Sequence, residues 1–125
     1  MATILVVDDS MMVRSTLRRA LEGAGYTVQD AADGDLALAA LAEEPFLSHP
    51  PALMVLDIHM PRCSGVEVLE RLAATGKPLL PVLVLTTEGQ PEVIAHARAL
   101  GVRGWMLKPV RPDALLAAVR SLTGA

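Results

Sequence analysis

Five short apolar runs, separated by segments that carry helix signals, constrain the fold of this chain more than any other feature. The runs are rich in Val, Leu and Ile, and they cover residues 3–7, 26–28, 52–56, 82–85 and 105–107. Strict alternation of strand and helix patterns is typical of βαβ units, whose strands form a parallel sheet. The sequence therefore predicts an α/β fold, a doubly wound five-stranded parallel sheet with five helices on its two faces.

The intervening segments carry the signals of helices. The first has Val13, Leu17 and Leu21 at four-residue steps, and Ser64 and Glu67 form a capping box at the third. The predicted helices cover residues 12–24, 36–41, 64–74 and 91–101, with a fifth from Pro112 onward. Residues 43–51 hold three prolines and are predicted to form a surface loop.

Length and composition indicate one domain over residues 1–125. With 52% apolar residues the chain can bury a core without disulfides, and its single cysteine, Cys63, points to a reducing cytosol. The net charge of −3 argues against nucleic acid or an anionic membrane as partner. We find no signal-peptide pattern, and the apolar run at residues 79–85 is far too short to span a bilayer. We expect a soluble, cytoplasmic protein.

Polar residues stand at the ends of four predicted strands. Asp8 and Asp9 follow the first strand, Asp57 the third, Thr86 the fourth and Lys108 the fifth. In a parallel sheet these ends meet at one edge, so three carboxylates, a hydroxyl and an ammonium would share a cleft. Alternatively, the Asp pair caps the next helix, Asp57 starts a loop, and Thr86 and Lys108 are ordinary strand-end and surface residues.

Taken together, the five residues favour a metal-dependent phosphoryl site. Magnesium prefers oxygen ligands, which the acidic pair supplies, and a carboxylate such as Asp57 can act as a nucleophile on phosphorus. Thr86 and Lys108 can then contact the phosphoryl oxygens. The Lys108-Pro109 bond can be cis, which would aim the lysine inward.

The sequence resembles the receiver domains of two-component response regulators over its entire length. The motifs that carry the resemblance are Asp8-Asp9-Ser10, Asp33-Gly34, the stretch from Asp57 to Pro61 continuing to Ser64-Gly65, Thr86-Thr87 and Lys108-Pro109. The stretches at residues 84–89 and 104–109 are most similar to stand-alone, CheY-like regulators of the flavodoxin-like fold.

The resemblance implies that Asp57 accepts a phosphoryl group from the phosphohistidine of a sensor histidine kinase. It implies Mg²⁺ held by Asp9, Asp57 and the backbone carbonyl of His59, with Asp8 reaching the ion through water. Thr86 and Lys108 would contact the phosphoryl group. The protein would then be a signalling phosphoacceptor that catalyses only its own phosphorylation and dephosphorylation.

The resemblance also implies a switch and an output. Thr86 and Trp105 occupy the positions of the coupled switch residues, although family members usually carry Tyr or Phe where this chain has Trp. His59 and Glu88 occupy positions that tune the lifetime of the phosphoryl group. Because the last helix ends near Ala125, output is expected through protein contacts, in chemotaxis or another pathway. The expected output face is defined by these four residues: Val93, Ala97, Trp105 and Val110.

Other functions fit the sequence less well. A phosphohydrolase with an aspartyl-phosphate intermediate would carry Asp-x-Asp after the first strand, whereas Asp8 and Asp9 are adjacent. A flavin or nucleotide binder would need a Gly- or Thr-rich loop there, and residues 10–12 are Ser-Met-Met. A receiver that relays phosphoryl groups, or one cut from a longer regulator, is compatible with the same motifs. Cys63, His49 and His96 lack companions at metal-ligand spacing, and both histidines are expected to face solvent.

Overall fold

Strands and helices alternate strictly along the chain, as the sequence predicts. The computed structural model describes residues 2–87 and 91–124. Its strands are β1 Thr3–Val7, β2 Thr27–Ala31, β3 Leu53–Asp57, β4 Val82–Thr86 and β5 Gly104–Leu107. Its helices are α1 Met11–Gly23, α2 Gly34–Leu41, α3 Gly65–Ala73, α4 Pro91–Ala99 and α5 Pro112–Thr123.

The five strands form one parallel sheet in the order β2-β1-β3-β4-β5. The chain moves outward from β1 to β2, then returns past β1 to β3 and continues in the other direction. The strand order therefore reverses between β1 and β3, where doubly wound sheets bind their ligands. The predicted fold class, a flavodoxin-like α/β sheet with helices on both faces, is confirmed.

Two apolar layers cover the sheet because successive strand residues point to opposite faces. Ile4 and Val6 of β1 face a layer that includes residues of α1 and α5, whereas Leu5 and Val7 face a layer that includes residues of α2, α3 and α4. All five residues of β3 and of β4 are buried, as expected for central strands covered on both faces. This packing fixes the carboxyl ends of β1, β3 and β4 side by side.

The helix and strand signals are correct to within a few residues. Ser64 caps α3 by accepting a hydrogen bond from the Glu67 N–H at 3.2 Å, as the capping box predicts. Ser10 caps α1 in the same way. The second strand extends beyond Val28 to Ala31, because β2 lies at the edge of the sheet and its polar residues remain exposed.

The loop predicted over residues 43–51 consists mainly of turns at the surface, but Phe46 and Pro51 are buried. Phe46 is buried in the layer beneath α2 and α3. Its ring anchors this proline-rich segment to the domain, which the high proline content alone does not predict. In the described ranges, 2–87 and 91–124, no helix combines the length and apolarity that crossing a bilayer requires.

Candidate functional site

Asp8 lies immediately after β1 and is fully buried. Its N–H donates to the Ala31 carbonyl at 3.2 Å, and its Oδ1 accepts from the Ser10 N–H at 2.9 Å. Asp9, the next residue, is exposed. Ser10 caps α1, so the acidic pair is not the helix cap. The second carboxylate oxygen of Asp8, Oδ2, faces Lys108.

Asp57 ends β3 and is 1% exposed. Its Oδ1 accepts from the His59 N–H at 3.1 Å, while the Ile58 N–H donates to the Leu85 carbonyl. Gly65 packs directly against this turn, since a Cβ there would clash with the Asp57 carbonyl oxygen and lie 2.9 Å from Ile58 Cα. The backbone that carries Asp57 is therefore held from both sides.

Lys108 brings the two buried carboxylates together. Its Nζ lies 2.8 Å from Oδ2 of Asp8 and 3.2 Å from Oδ2 of Asp57, and its side chain is 18% exposed. The Lys108 N–H donates to the carbonyl of Thr86, a buried residue at the end of β4, and the Lys108-Pro109 peptide is cis. The side chains of Asp8, Asp57 and Lys108 thus contact one another, and Asp9 lies in the same cluster. Thr86, the fifth predicted residue, contacts Lys108 through the backbone.

Burial and nearby charges shift the pKa values of Asp57 and Lys108. Desolvation raises the pKa of the Asp57 carboxyl, and the charge of Asp8 raises it further; Lys108 and the His59 N–H only partly offset this. For Lys108, desolvation acts to lower the pKa, but the close contact with Asp8 and the charges of Asp57 and Asp8 outweigh it, so the pKa is raised. The single positive charge of Lys108 therefore does not neutralise the two negative charges of Asp8 and Asp57.

The remaining negative charge fits a divalent cation. Carboxylate oxygens of Asp8, Asp9 and Asp57 lie within 4.8 Å of one another. Among the described residues, Oδ2 of Asp8 is buried without a donor in hydrogen-bond geometry, although the Lys108 ammonium faces it as an ion pair. An all-oxygen donor set of this kind suits Mg²⁺ or Ca²⁺, and no other group of three His, Cys, Asp or Glu side chains within the described ranges comes as close.

The residues assigned to tuning and switching have different surroundings in the structure. His59 is exposed and contacts Asp57 through its backbone N–H, whereas Glu88 lies outside the described residues. Trp105 on β5 is 38% exposed, and the Arg98 guanidinium stacks on its ring at 4.2 Å from the centroid. Trp105 is thus held at the surface in this conformation.

The expected output face needs one correction. Ala97 is buried in the layer against the sheet, so its side chain is not available to a partner. Val93 and Val110 are half-buried, and Trp105 with its neighbour Arg98 is exposed. The helical position of Ala97 points inward because α4 must cover the sheet with one side.

Three features were missed or only partly predicted from the sequence. Arg14 on α1 donates to the Asp8 carbonyl at 2.7 Å and lies 3.7 Å from Asp30, an arrangement signalled only by an arginine shortly after the acidic pair. His96 faces solvent as expected but lies 3.3 Å from a Glu70 carboxylate oxygen. Cys63 is buried, and burial raises the pKa of its thiol, in agreement with a packing role.

Known proteins are similar to this chain over nearly its whole length. The sequence profile of the response regulator receiver domain matches residues 4–120. The response regulator MprA of Mycobacterium ulcerans is 42% identical over 119 residues, which are 95% of this chain and 49% of that protein. The chain thus spans about half the length of the curated relatives it matches.

Solved structures of receiver domain proteins are also similar to this chain over nearly its whole length. The chemotaxis protein CheY4 of Vibrio cholerae is similar with a TM-score of 0.86 and 35% identity, covering 98% of each chain. A CheY-like receiver domain protein of Methanospirillum hungatei has a TM-score of 0.87 and 28% identity, covering 99% of this chain and 94% of that one. The sequence match, the fold and the acidic cluster agree, and the chain belongs to the response regulator receiver domain family.

Proposed function

We propose that this domain is a signalling phosphoacceptor, in which Asp57 receives a phosphoryl group from a histidine kinase in an Mg²⁺-dependent reaction. The observation that carries the proposal is the buried Asp57 carboxylate, faced by the Lys108 ammonium at 3.2 Å and grouped with the oxygens of Asp8 and Asp9. A buried nucleophile beside one fixed cation and a set of carboxylate oxygens that can hold a metal ion suits transfer of a highly charged group.

In the proposed reaction, an Asp57 carboxylate oxygen forms a bond to phosphorus while the bond between phosphorus and the histidine nitrogen of the kinase breaks. The products are an acyl phosphate on Asp57 and the free imidazole. Lys108 and the Thr86 hydroxyl would contact the phosphoryl oxygens. Mg²⁺, held by Asp9, Asp57 and the His59 carbonyl with Asp8 through water, would offset their negative charge.

The proposed switch joins Thr86 to Trp105. When Thr86 contacts the phosphoryl group, Trp105 would leave the surface and move inward, breaking its contact with Arg98. The 4.2 Å stacking of Arg98 on the ring supports an outward resting position. His59, two residues after Asp57, and Glu88, two residues after Thr86, would set the lifetime of the phosphoryl group.

We infer that output passes through protein contacts at the face that includes Val93, Trp105 and Val110, and that the domain works in the cytoplasm. Similarity to Vibrio cholerae CheY4 over 98% of both chains supports a stand-alone regulator, with chemotaxis as one pathway. Coverage of half of MprA supports the second context, a receiver within a longer regulator or relay. The phosphoacceptor chemistry is the same in both.

Acetyl phosphate tests the proposal directly. The protein is incubated with this small phosphodonor and Mg²⁺, and intact masses are recorded for wild type and Asp57→Asn. We expect one phosphoryl group on wild type, none with EDTA and none on the variant. If wild type instead hydrolyses unrelated phosphoesters over many turnovers, the result would contradict the proposal and favour a phosphohydrolase.

A further inference from the structure

An apolar groove lies near the amino-terminal ends of β3 and β4, whereas the acidic cluster lies at the carboxyl ends of the strands. It has a volume of about 790 Å³ and is lined by the ends of α2 and α3, the turn segment after α2 and the segment that precedes β4. Residues 50–51 and 79–81 of its lining come just before β3 and β4, whereas Asp57 and Thr86 end these strands. The groove is therefore separate from the proposed phosphoryl site.

The shape of the groove depends on the proline-rich turn segment. Phe46 is buried at its base, and Leu47, the next residue, is 56% exposed on its rim. Leu41 and Leu72 contribute from the two helices on either side. The volume is within the range of small-molecule sites, and such sites are mostly apolar with a few polar groups that fix the ligand.

The charged groups in the lining have one sign. Arg71 and Lys77 are the charged lining residues, and no acidic side chain joins them. Arg71 lies 3.3 Å from Asp35 in an ion pair that is more than half exposed, so its contribution is weakened. Lys77 has no ion-pair partner among the described residues, and it is exposed next to the apolar wall.

We propose that this groove binds a small amphipathic anion, with its apolar chain over Phe46 and Leu72 and its anionic end at Lys77. The apolar lining excludes a highly charged ligand such as a free nucleotide, because most of its polar groups would lose water without partners. A carboxylate or sulfonate head on an apolar tail satisfies both parts of the lining. The proposal does not depend on phosphorylation of Asp57.

Decanoate is a suitable probe below its micelle concentration, with decanol and acetate as controls for charge and for chain. Binding is followed on the full chain by amide chemical shifts in nuclear magnetic resonance spectra. We expect saturable decanoate binding with shifts confined to the groove segments, and at least several-fold weaker binding of both controls. Equal binding of decanol would overturn the role of Lys77, and absence of saturable decanoate binding would overturn the proposal.

Matched surface variants test the location. Leu47→Asp places a negative charge on the rim and should abolish binding, and Lys77→Glu should weaken it about tenfold, the scale of one favourable contact exchanged for a repulsive one. Leu36→Asp is the control, since Leu36 is 54% exposed on α2 but outside the groove.

Each variant is also tested for its melting temperature and for Mg²⁺-dependent phosphorylation by acetyl phosphate, both of which should be unchanged. Equal binding by wild type and Leu47→Asp, or binding only to anionic phospholipid vesicles, would contradict the proposal. If wild type itself is not phosphorylated, that result would contradict the proposed role of Asp57 and would not change the binding result for the groove.

Discussion

The Nζ of Lys108 lies 3.2 Å from Oδ2 of Asp57 and joins the loop after β5 to the end of β3. This ammonium is the counter-ion of a buried carboxylate before any phosphoryl group arrives. It lies 2.8 Å from Asp8 as well, so it is shared between two acids. Metal binding or phosphorylation would therefore redistribute the contacts of Lys108, and stability should report on the state of the site.

Asp57→Asn should raise the stability of the metal-free protein at neutral pH. The pKa of Asp57 is raised in the folded state, chiefly by burial and then by Asp8. The folded state then holds a proton more tightly than the unfolded state, so the free energy of unfolding falls as pH rises from the unfolded pKa through the folded one. Asn cannot ionise and should lack this fall.

Thermal unfolding in EDTA across acidic to neutral pH measures this effect. Asp113→Asn is the control, because Asp113 is an exposed carboxylate on α5 whose removal should bring no gain. A lower melting temperature for Asp57→Asn at neutral pH would show that the carboxylate is stabilising and would contradict the prediction.

Mg²⁺ should stabilise wild type and have little effect on Asp9→Asn. A ligand that binds only the folded state adds about 2.7 kcal/mol at a concentration one hundred times its dissociation constant. Asp9 is exposed, so its replacement should change the metal-free melting temperature little while removing a ligand. Melting temperatures over a magnesium titration separate the two effects, and an equal response of both proteins would argue against this metal site.

Lys108→Met should destabilise the protein more in EDTA than in Mg²⁺. It leaves two buried carboxylates without their ammonium, a loss of about 3–5 kcal/mol in the free energy of unfolding. The metal ion can supply the missing positive charge, so the difference should shrink on adding Mg²⁺. Urea unfolding under both conditions checks the prediction, which an identical loss in both would refute.

The alkaline behaviour of Lys108 gives a second readout of the same variant. Because its folded pKa is raised, the stabilisation it provides is fully present below the ordinary lysine pKa of about 10.4 and is lost as pH rises through the higher folded value. Wild type should lose stability in that range more steeply than Lys108→Met.

Gly65→Ala should impair the site although residue 65 carries no reactive group. The added Cβ would clash with the Asp57 carbonyl oxygen, and forcing atoms into such a packed turn costs about 1–3 kcal/mol. We expect lower stability and weaker Mg²⁺ binding, measured by thermal unfolding and magnesium titration. Gly23→Ala is the matched control, since nothing lies within 4 Å of a Cβ there; an equal effect of both substitutions would exclude the turn as the cause.

Arg98→Met should change the fluorescence of Trp105, the single tryptophan of the chain. Removing the stacked guanidinium loses about 0.5–1 kcal/mol of cation–π attraction, which favours departure of the ring from its outward position. Emission spectra with and without acetyl phosphate and Mg²⁺ test this. We expect a smaller phosphorylation-dependent change in the variant, and an unchanged response would show that Arg98 does not hold the ring.

The cluster could be predicted from the sequence because its residues follow buried strands, and the strand order reverses between β1 and β3. Pairing these strands in a parallel sheet is sufficient to bring Asp8, Asp57 and Lys108 together. The positions of strand ends could not predict the contacts of Arg14 or the stacking of Arg98 on Trp105, because these contacts depend on how α1 and α4 are rotated against the sheet.

Burial was harder to predict than the secondary structure. Phe46 lies in a segment whose prolines indicate a surface loop, yet its ring is buried and forms the base of the apolar groove. Ala97 was assigned to an exposed face and is buried, because it lies on the side of α4 that packs in the apolar layer against the sheet. In both cases the tertiary packing, and not the local pattern, decides exposure.

Borohydride treatment identifies the residue that carries the phosphoryl group, which we propose to be Asp57. Borohydride reduces an acyl phosphate to an alcohol, so treatment of the acetyl phosphate-modified protein should convert the phosphorylated aspartate to homoserine, which peptide mass spectrometry locates. We expect homoserine at position 57 alone, and only in samples containing Mg²⁺. Homoserine at position 8 or 9, or its absence from phosphorylated protein, would contradict the proposal.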